Sequence, residues 1–111
     1  MAEKLVTVDS GEVRGAGSFV TLRQPKWKLM LKALKAFNAA GGAERQEDAT
    51  LEMMDVLLPQ MIVAWNWTNE ETGEVMALPS VDPESWDDLE MVEVFFLINH
   101  AAPLIEIDRK N

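Results

Sequence analysis

The spacing of apolar and polar residues changes from alternation near the start of the chain to helical spacing over most of its length. Residues 4–8 (KLVTV) alternate and are rich in β-branched side chains, and residues 18–23 (SFVTLR) have a similar composition. Both segments therefore predict strands. The turn-forming residues between them predict a β-hairpin over residues 1–23, whose loop is too long for a tight two-residue turn, so its register stays open.

Three further segments place apolar side chains at helical spacing, and we predict helices over residues 25–40, 48–65 and 86–100. Because a proline inside a helix removes one backbone hydrogen bond and clashes with the preceding turn, we expect Pro59 to cause a kink or to separate two abutting helices. Pro103 should break or kink the third helix in the same way. One face of that helix is expected to carry Leu89, Val92, Phe95, Phe96 and Asn99.

The stretch from residue 57 to residue 79 joins the second helix to a turn through Trp65 and Trp67. Amphipathic patterns lie on both sides of it, so we expect both indoles to lie centrally and to lock the outer segments together. Residues 66–85 are predicted to form an exposed turn or loop. The whole pattern predicts a mainly α (α+β) fold, a single small helical domain with an N-terminal β-hairpin.

Charge is distributed unevenly along the chain. The 111 residues carry a net charge of -9, but residues 1–45 hold eight Lys or Arg and four acids, whereas residues 46–108 hold fifteen acids and no Lys or Arg. The net charge would repel nucleic-acid phosphates and anionic lipid headgroups, so we expect neither nucleic acid nor a membrane as a partner.

The same charge segregation allows the two halves to pair within one chain, or copies to stack head-to-tail as a homo-oligomer. Two solvated faces of opposite sign are the alternative. The candidate self-association residues are the lysines of the first predicted helix and the acids of the third: Lys26, Lys28, Lys32, Lys35, Asp87, Asp88, Glu90 and Glu93.

Residue types suited to catalysis are scarce. The lack of cysteine excludes disulfides, thiolate zinc sites and Cys nucleophiles. The only histidine, His100, falls near a predicted helix end, where it is interpreted as a capping or packing residue. The carboxylates of the third helix have no second cluster to work with as acid and base, so they are interpreted as a solvated face. We expect no enzyme activity, no metal and no cofactor.

Methionine usage is high, with seven in this short chain. Methionine is the adaptable apolar residue of surfaces that accommodate irregular partners, although filling gaps in the core is the alternative for each one. The candidate partner-binding residues are Met53, Trp67, Met76, Trp86 and Met91.

The beginning of the chain lacks a basic segment followed by an apolar one, and no apolar run approaches ~18 residues. Neither export nor a membrane span is expected, and we predict a cytoplasmic protein.

A strand running into TLRQP leads to a basic amphipathic helix, and an acidic helix ends in AWNWTNEETGE with LP shortly after it. A closing acidic helix follows. This order resembles the tail assembly chaperones of long-tailed (siphophage-type) phages and prophages, over residues 19–104. The sharpest part is residues 65–79, where such proteins often carry Trp-Asn followed by a Thr-Asp/Asn-Glu turn with Gly.

The resemblance implies a non-enzymatic protein of the host cytoplasm that coats the long, partly apolar tape measure protein before the tail tube polymerises around it. It also implies self-association and, in many of these systems, a longer frameshifted form that recruits tail tube subunits. An adaptable apolar groove and segregated charge suit a chaperone for a long helical client.

Two other functions stay open on the sequence. A small acidic inhibitor of the immunity or anti-restriction type would occupy the basic site of a nuclease, and the region without Lys or Arg favours it. The other function is that of a minor structural virion protein, such as a head–tail connector. A tape measure gene immediately downstream would support the chaperone, and an adjacent toxin gene would support the inhibitor.

We predict that Trp65→Ala unfolds or strongly destabilises the domain, because deleting a buried aromatic side chain costs about 3–5 kcal/mol. The melting temperature of the variant measures this effect. A fully folded variant with an unchanged melting temperature would refute the central position given to Trp65.

Overall fold

The computed structural model describes residues 4–105, which form a three-stranded antiparallel sheet and a set of helices. The mainly α (α+β) fold with an N-terminal hairpin is confirmed. The strands are β1 (Leu5–Asp9), β2 (Phe19–Arg23) and β3 (Ile62–Trp65). The helices are α1 (Gly11–Arg14), α2 (Trp27–Ala39), α3 (Gln46–Met61), α4 (Pro83–Asp87) and α5 (Met91–Ile105), with a 3-10 turn over Gly42–Arg45 before α3.

The hairpin register, which the sequence left open, is fixed by pairing of Leu5 with Arg23 at one end and Asp9 with Phe19 at the other. The connection contains α1, and the backbone N–H of Ser10 donates to the carbonyl of Ser18 at 3.0 Å. On β2 the alternating residues Val20 and Leu22 are fully buried, so one face of the sheet lies on the core.

The prediction that the second helix extends to residue 65 is wrong, because α3 ends at Met61 and the chain continues as β3 beside β2. Pro59 does not separate two abutting helices. It lies inside α3, two residues before the end of that helix. A register shift between Thr21 and Leu22 leaves one extra residue on β3. This bulge brings Ile62 and Trp65 to the same buried face. Their spacing of three therefore fits a helix and a bulged strand equally well.

The third predicted helix is also wrong in its bounds, since α4 and α5 are separate and α5 continues through Pro103. Pro83 begins α4, and the Oδ1 of Asp82 accepts from the N–H of Glu84 at 3.1 Å. Proline and an acidic cap both favour a helix start at this point.

The face predicted to be buried on α5 is wrong in part. Val92, Phe95 and Asn99 are exposed. The buried residues of α5 recur at three- and four-residue spacing along a neighbouring side of the helix, which shares only Phe96 with the predicted face: Glu93, Phe96, Leu97, Ala101 and Leu104.

The prediction of an exposed loop over residues 66–85 holds at most positions, both around the tip at residues 68–75 and farther on at Val81 and Glu84. At the tip the N–H of Asn69 donates to the carbonyl of Glu74 at 2.8 Å, and Thr68 and Val75 form an isolated antiparallel β-bridge. Trp67 and Pro79, in contrast, are buried. The loop therefore contributes to the core as well as to the surface.

The core lies where the sheet, α3 and α5 meet, and α2 packs along α3. Its members are apolar side chains drawn from these elements and from Trp67: Val20, Leu22, Ala33, Met54, Leu57, Leu58, Met61, Ile62, Trp65, Trp67, Phe96, Leu97, Ala101 and Leu104. Over residues 4–105, no helix has the length and apolar character needed to cross a membrane.

We expect Gly41→Ala to destabilise the protein by more than the about 1–2 kcal/mol that left-handed backbone costs an L-residue. Gly41 has a φ of +112°, and a methyl group there would lie 2.7 Å from Cδ and 2.8 Å from Cβ of Arg45. Urea unfolding measures the loss. Gly73→Ala is the matched control, because φ is +75° and no atom lies within 4 Å of the added methyl group. Equal losses in the two variants would contradict the steric part of this argument.

Candidate partner-binding groove

The guanidinium of Arg14 is enclosed by groups from separate parts of the chain. Its Nε lies 2.6 Å from Oε2 of Glu93, an ion pair in which the Arg14 and Glu93 side chains are only 14% and 8% exposed. Its Nη1 donates to the carbonyl of Thr68 at 2.8 Å, and its Cζ lies 4.9 Å from the ring centroid of Trp67. The arrangement combines an ion pair with a cation–π contact and ties α1 to α5.

Two tryptophans pack beside this arginine. The rings of Trp65 and Trp67 stack with centroids 4.8 Å apart and planes inclined by 15°. The indole N–H of Trp67 donates to Oγ of Ser10 at 2.9 Å, and that of Trp65 donates to the carbonyl of Met76 at 3.0 Å. The predicted central position of both indoles is confirmed. We define the Arg14 cluster as Ser10, Arg14, Trp65, Trp67, Met76 and Glu93.

Trp67 therefore does not belong to a partner surface. Its side chain is fully buried and its indole N–H has a partner inside the protein, so its assignment as a partner-binding residue is wrong. Sequence reasoning misplaced Trp67 because its hydrogen-bond partner, Ser10, lies 57 residues away along the chain.

Glu93 must also be removed from the self-association set. Besides its ion pair with Arg14, its Oε1 accepts from the backbone N–H of Glu90 at 3.0 Å, which is the reciprocal half of a capping box at the start of α5. A carboxylate used in this way inside the protein is not available to a second copy.

The other members of the self-association set lie at the surface. Within residues 4–105, Lys28, Lys32 and Lys35 make no ion pair, so the structure does not bring them onto the acids of the same chain. The remaining members are also exposed: Lys26, Asp87, Asp88 and Glu90.

The remaining partner-binding candidates divide into exposed and half-buried residues. Met91 is exposed at the start of α5. Met53 and Met76 are half-buried against the core, as is Trp86, whose indole N–H donates to Oδ1 of Asp55 at 2.7 Å. Of these, Trp86 lines the apolar surface described next, and Met91 lies one turn before Phe95 on α5.

A groove lies open between α3 and α5. Leu51 of α3 is 47% exposed and Phe95 of α5 is 45% exposed, although both are large apolar side chains. Adjoining hollows continue the groove toward α4, with carboxylates at the margin. We define the α3–α5 groove by its apolar lining and its acids: Leu51, Met54, Trp86, Val94, Phe95, Ile98, Glu47, Glu52 and Asp55.

Sequence reasoning missed Leu51 and Phe95 as surface residues because both fit an apolar helical stripe. The available signal was the composition of α5, where MVEVFFLI is apolar on nearly every side. Since only one side of a surface helix can face the core, such a helix must expose apolar side chains.

The sequence singled out His100 and the carboxylates as the groups to inspect for metal binding. Residues 4–105 hold no group of three or more His, Cys, Asp or Glu placed to bind a metal ion. His100 is exposed, and its ring lies 4.5 Å from that of Phe96.

Comparison of this chain with protein-family models, with curated proteins and with solved structures gave no match.

We expect Arg14→Met to lose stability toward the lower end of the about 3–5 kcal/mol typical of breaking a buried ion pair, because Glu93 would stay buried without its cation. Glu93→Gln should cost less, since an amide oxygen still caps α5. The double variant should cost less than the sum of the two, as measured by urea unfolding.

Arg45→Met is the matched control for this cycle. Arg45 pairs with Asp48 at 3.4 Å, but both side chains are about two-thirds exposed, so its loss should change the free energy of unfolding by about 0–1 kcal/mol. If the losses of unfolding free energy in Arg14→Met and Glu93→Gln were additive in the double variant, the role given to the buried pair would be contradicted. A loss in Arg45→Met equal to that in Arg14→Met would contradict it too.

Proposed function

We propose that this protein is a non-enzymatic assembly chaperone of long-tailed phages, which self-associates and binds an apolar helical segment of the tape measure protein in the host cytoplasm. The observation that carries the proposal is the α3–α5 groove, an open apolar surface to which Leu51 and Phe95, each nearly half exposed, contribute from two helices. The resemblance of residues 19–104 to this family supplies the client.

The shape of the groove suits a helix. Leu51 and Phe95 face it from two different helices, and Ile98 follows Phe95 by just under one turn of α5. An amphipathic helix laid between such walls buries its apolar stripe by a recognition mode common to many helical ligands. A client helix with Lys or Arg beside its apolar stripe would also match the acids Glu47 and Glu52.

A second candidate is supported by the same acidic surface. The tip of the 66–85 segment and the α4–α5 junction expose several carboxylates, as an inhibitor of a basic nuclease requires. The exposed carboxylates there are Glu70, Glu71, Glu74, Glu84, Asp87, Asp88 and Glu90. The apolar groove has no part in that function, so we place it second.

The test is binding of a labelled fragment of a long-tailed phage tape measure protein, followed by fluorescence anisotropy. We expect Phe95→Ala to weaken binding at least tenfold, because a buried aromatic anchor at the centre of an interface commonly contributes more than about 2 kcal/mol. Its partial exposure in the free protein should leave the fold intact.

Val92→Ala is the matched control, since Val92 is exposed on α5 but does not line the groove. It should bind the fragment as the wild type does. Failure of the wild-type protein to bind any tape measure fragment, together with tight binding to a basic nuclease, would replace the chaperone with the inhibitor. Equal weakening by both substitutions would place the client elsewhere.

A further inference from the structure

The outer side of α2 is apolar, and no other element within residues 4–105 covers it. Trp27 is 66% exposed, and Leu31 and Leu34 are each more than a third exposed. Their spacing of four and three residues places them in one stripe along the helix. The inner side, which includes the fully buried Ala33, packs on the core instead. We call the three exposed residues the α2 stripe.

A row of lysines runs beside the α2 stripe. Lys28, Lys32 and Lys35 each follow a stripe residue by one position, which rotates them by about 100° around the helix. All three are exposed and make no ion pair within residues 4–105. The outer side of α2 is therefore a basic amphipathic surface.

The α3–α5 groove has the complementary features. Phe95 and Ile98 line the groove, and the exposed Met91 extends their row by one turn of α5. These three residues repeat the four-and-three spacing of the α2 stripe, so each row extends for about 10 Å. Glu47 and Glu52 lie at the margin of the groove and are exposed. The two surfaces thus match in apolar spacing and are opposite in charge.

We propose that the α2 stripe of one copy docks in the α3–α5 groove of a second copy, with the lysines of α2 facing the acids of the groove. The two surfaces are different, so the contact is heterologous and each copy keeps one free stripe and one free groove. Assembly then proceeds head-to-tail. The inference does not depend on what the client is, but a client helix in the groove would exclude the α2 stripe.

The test is a complementation between two variants, followed by sedimentation and light scattering over a wide range of protein concentrations. A stripe variant, Trp27→Glu with Lys32→Glu, keeps its groove and loses its docking helix. A groove variant, Phe95→Lys, keeps its stripe and loses its groove. Circular dichroism verifies that both are folded, as the exposure of the replaced side chains predicts.

The wild type should assemble in a concentration-dependent way, and association should weaken at least tenfold in high salt, because exposed charges are then screened. Each variant alone should be monomeric. Their equimolar mixture should form a one-to-one dimer and nothing larger, since only one intact stripe and one intact groove remain. Val92→Lys, which adds the same charge on α5 outside the groove, should assemble as the wild type does.

A wild-type protein that is monomeric at every concentration would overturn the inference and leave the groove to a different occupant. A stripe variant that still assembles, or a mixture that stays monomeric, would also overturn it. The result is separable from the proposed function. A stripe variant whose free groove accepts the groove variant but does not bind the tape measure fragment would refute the chaperone alone, and fragment binding by a monomeric wild type would refute head-to-tail docking alone.

Discussion

The arrangement of the domain depends on one interior cation, the guanidinium of Arg14. Burying a charge is costly unless it is paired and hydrogen-bonded. The partners come from the beginning of α5, through Glu93, and from the segment after β3, through Thr68 and Trp67. Because Glu93 also caps α5, the same carboxylate determines where that helix begins. The hairpin connection, the segment after β3 and α5 therefore cannot take up their positions independently of one another.

Local pattern was sufficient for the existence and the bounds of the hairpin and α2, both of which were predicted with nearly their observed bounds. It did not predict which side of α2 is buried, since Trp27, Leu31 and Leu34 are exposed. The pattern failed where two structures give the same spacing, as at Ile62 and Trp65, and where a helix is apolar on most sides, as in α5. In those segments the outcome depends on strand pairing and packing with distant residues, which periodicity does not contain.

The candidate surfaces were predictable to a similar extent. The lysines of α2 could be placed at the surface from the sequence, because charged side chains between apolar ones rarely enter a core. The buried positions of Trp67 and Glu93 could not be predicted from the sequence, since their partners Ser10 and Arg14 are distant along the chain. α3 contacts α2 and also contributes to the groove, so a basic apolar surface and an acidic apolar surface are held by one rigid helix.

The bulge on β3 restricts insertions and deletions in this strand. Since side chains on a strand alternate between faces, removing one residue between Ile62 and Trp65 would direct one of these two buried residues away from the core. The tip around residues 70–73 carries no such restriction, because it is exposed and apolar packing does not depend on its register. Among distant descendants of this sequence, insertions and deletions should therefore accumulate at the tip, while the interval from Ile62 to Trp65 keeps its length even where its residues change.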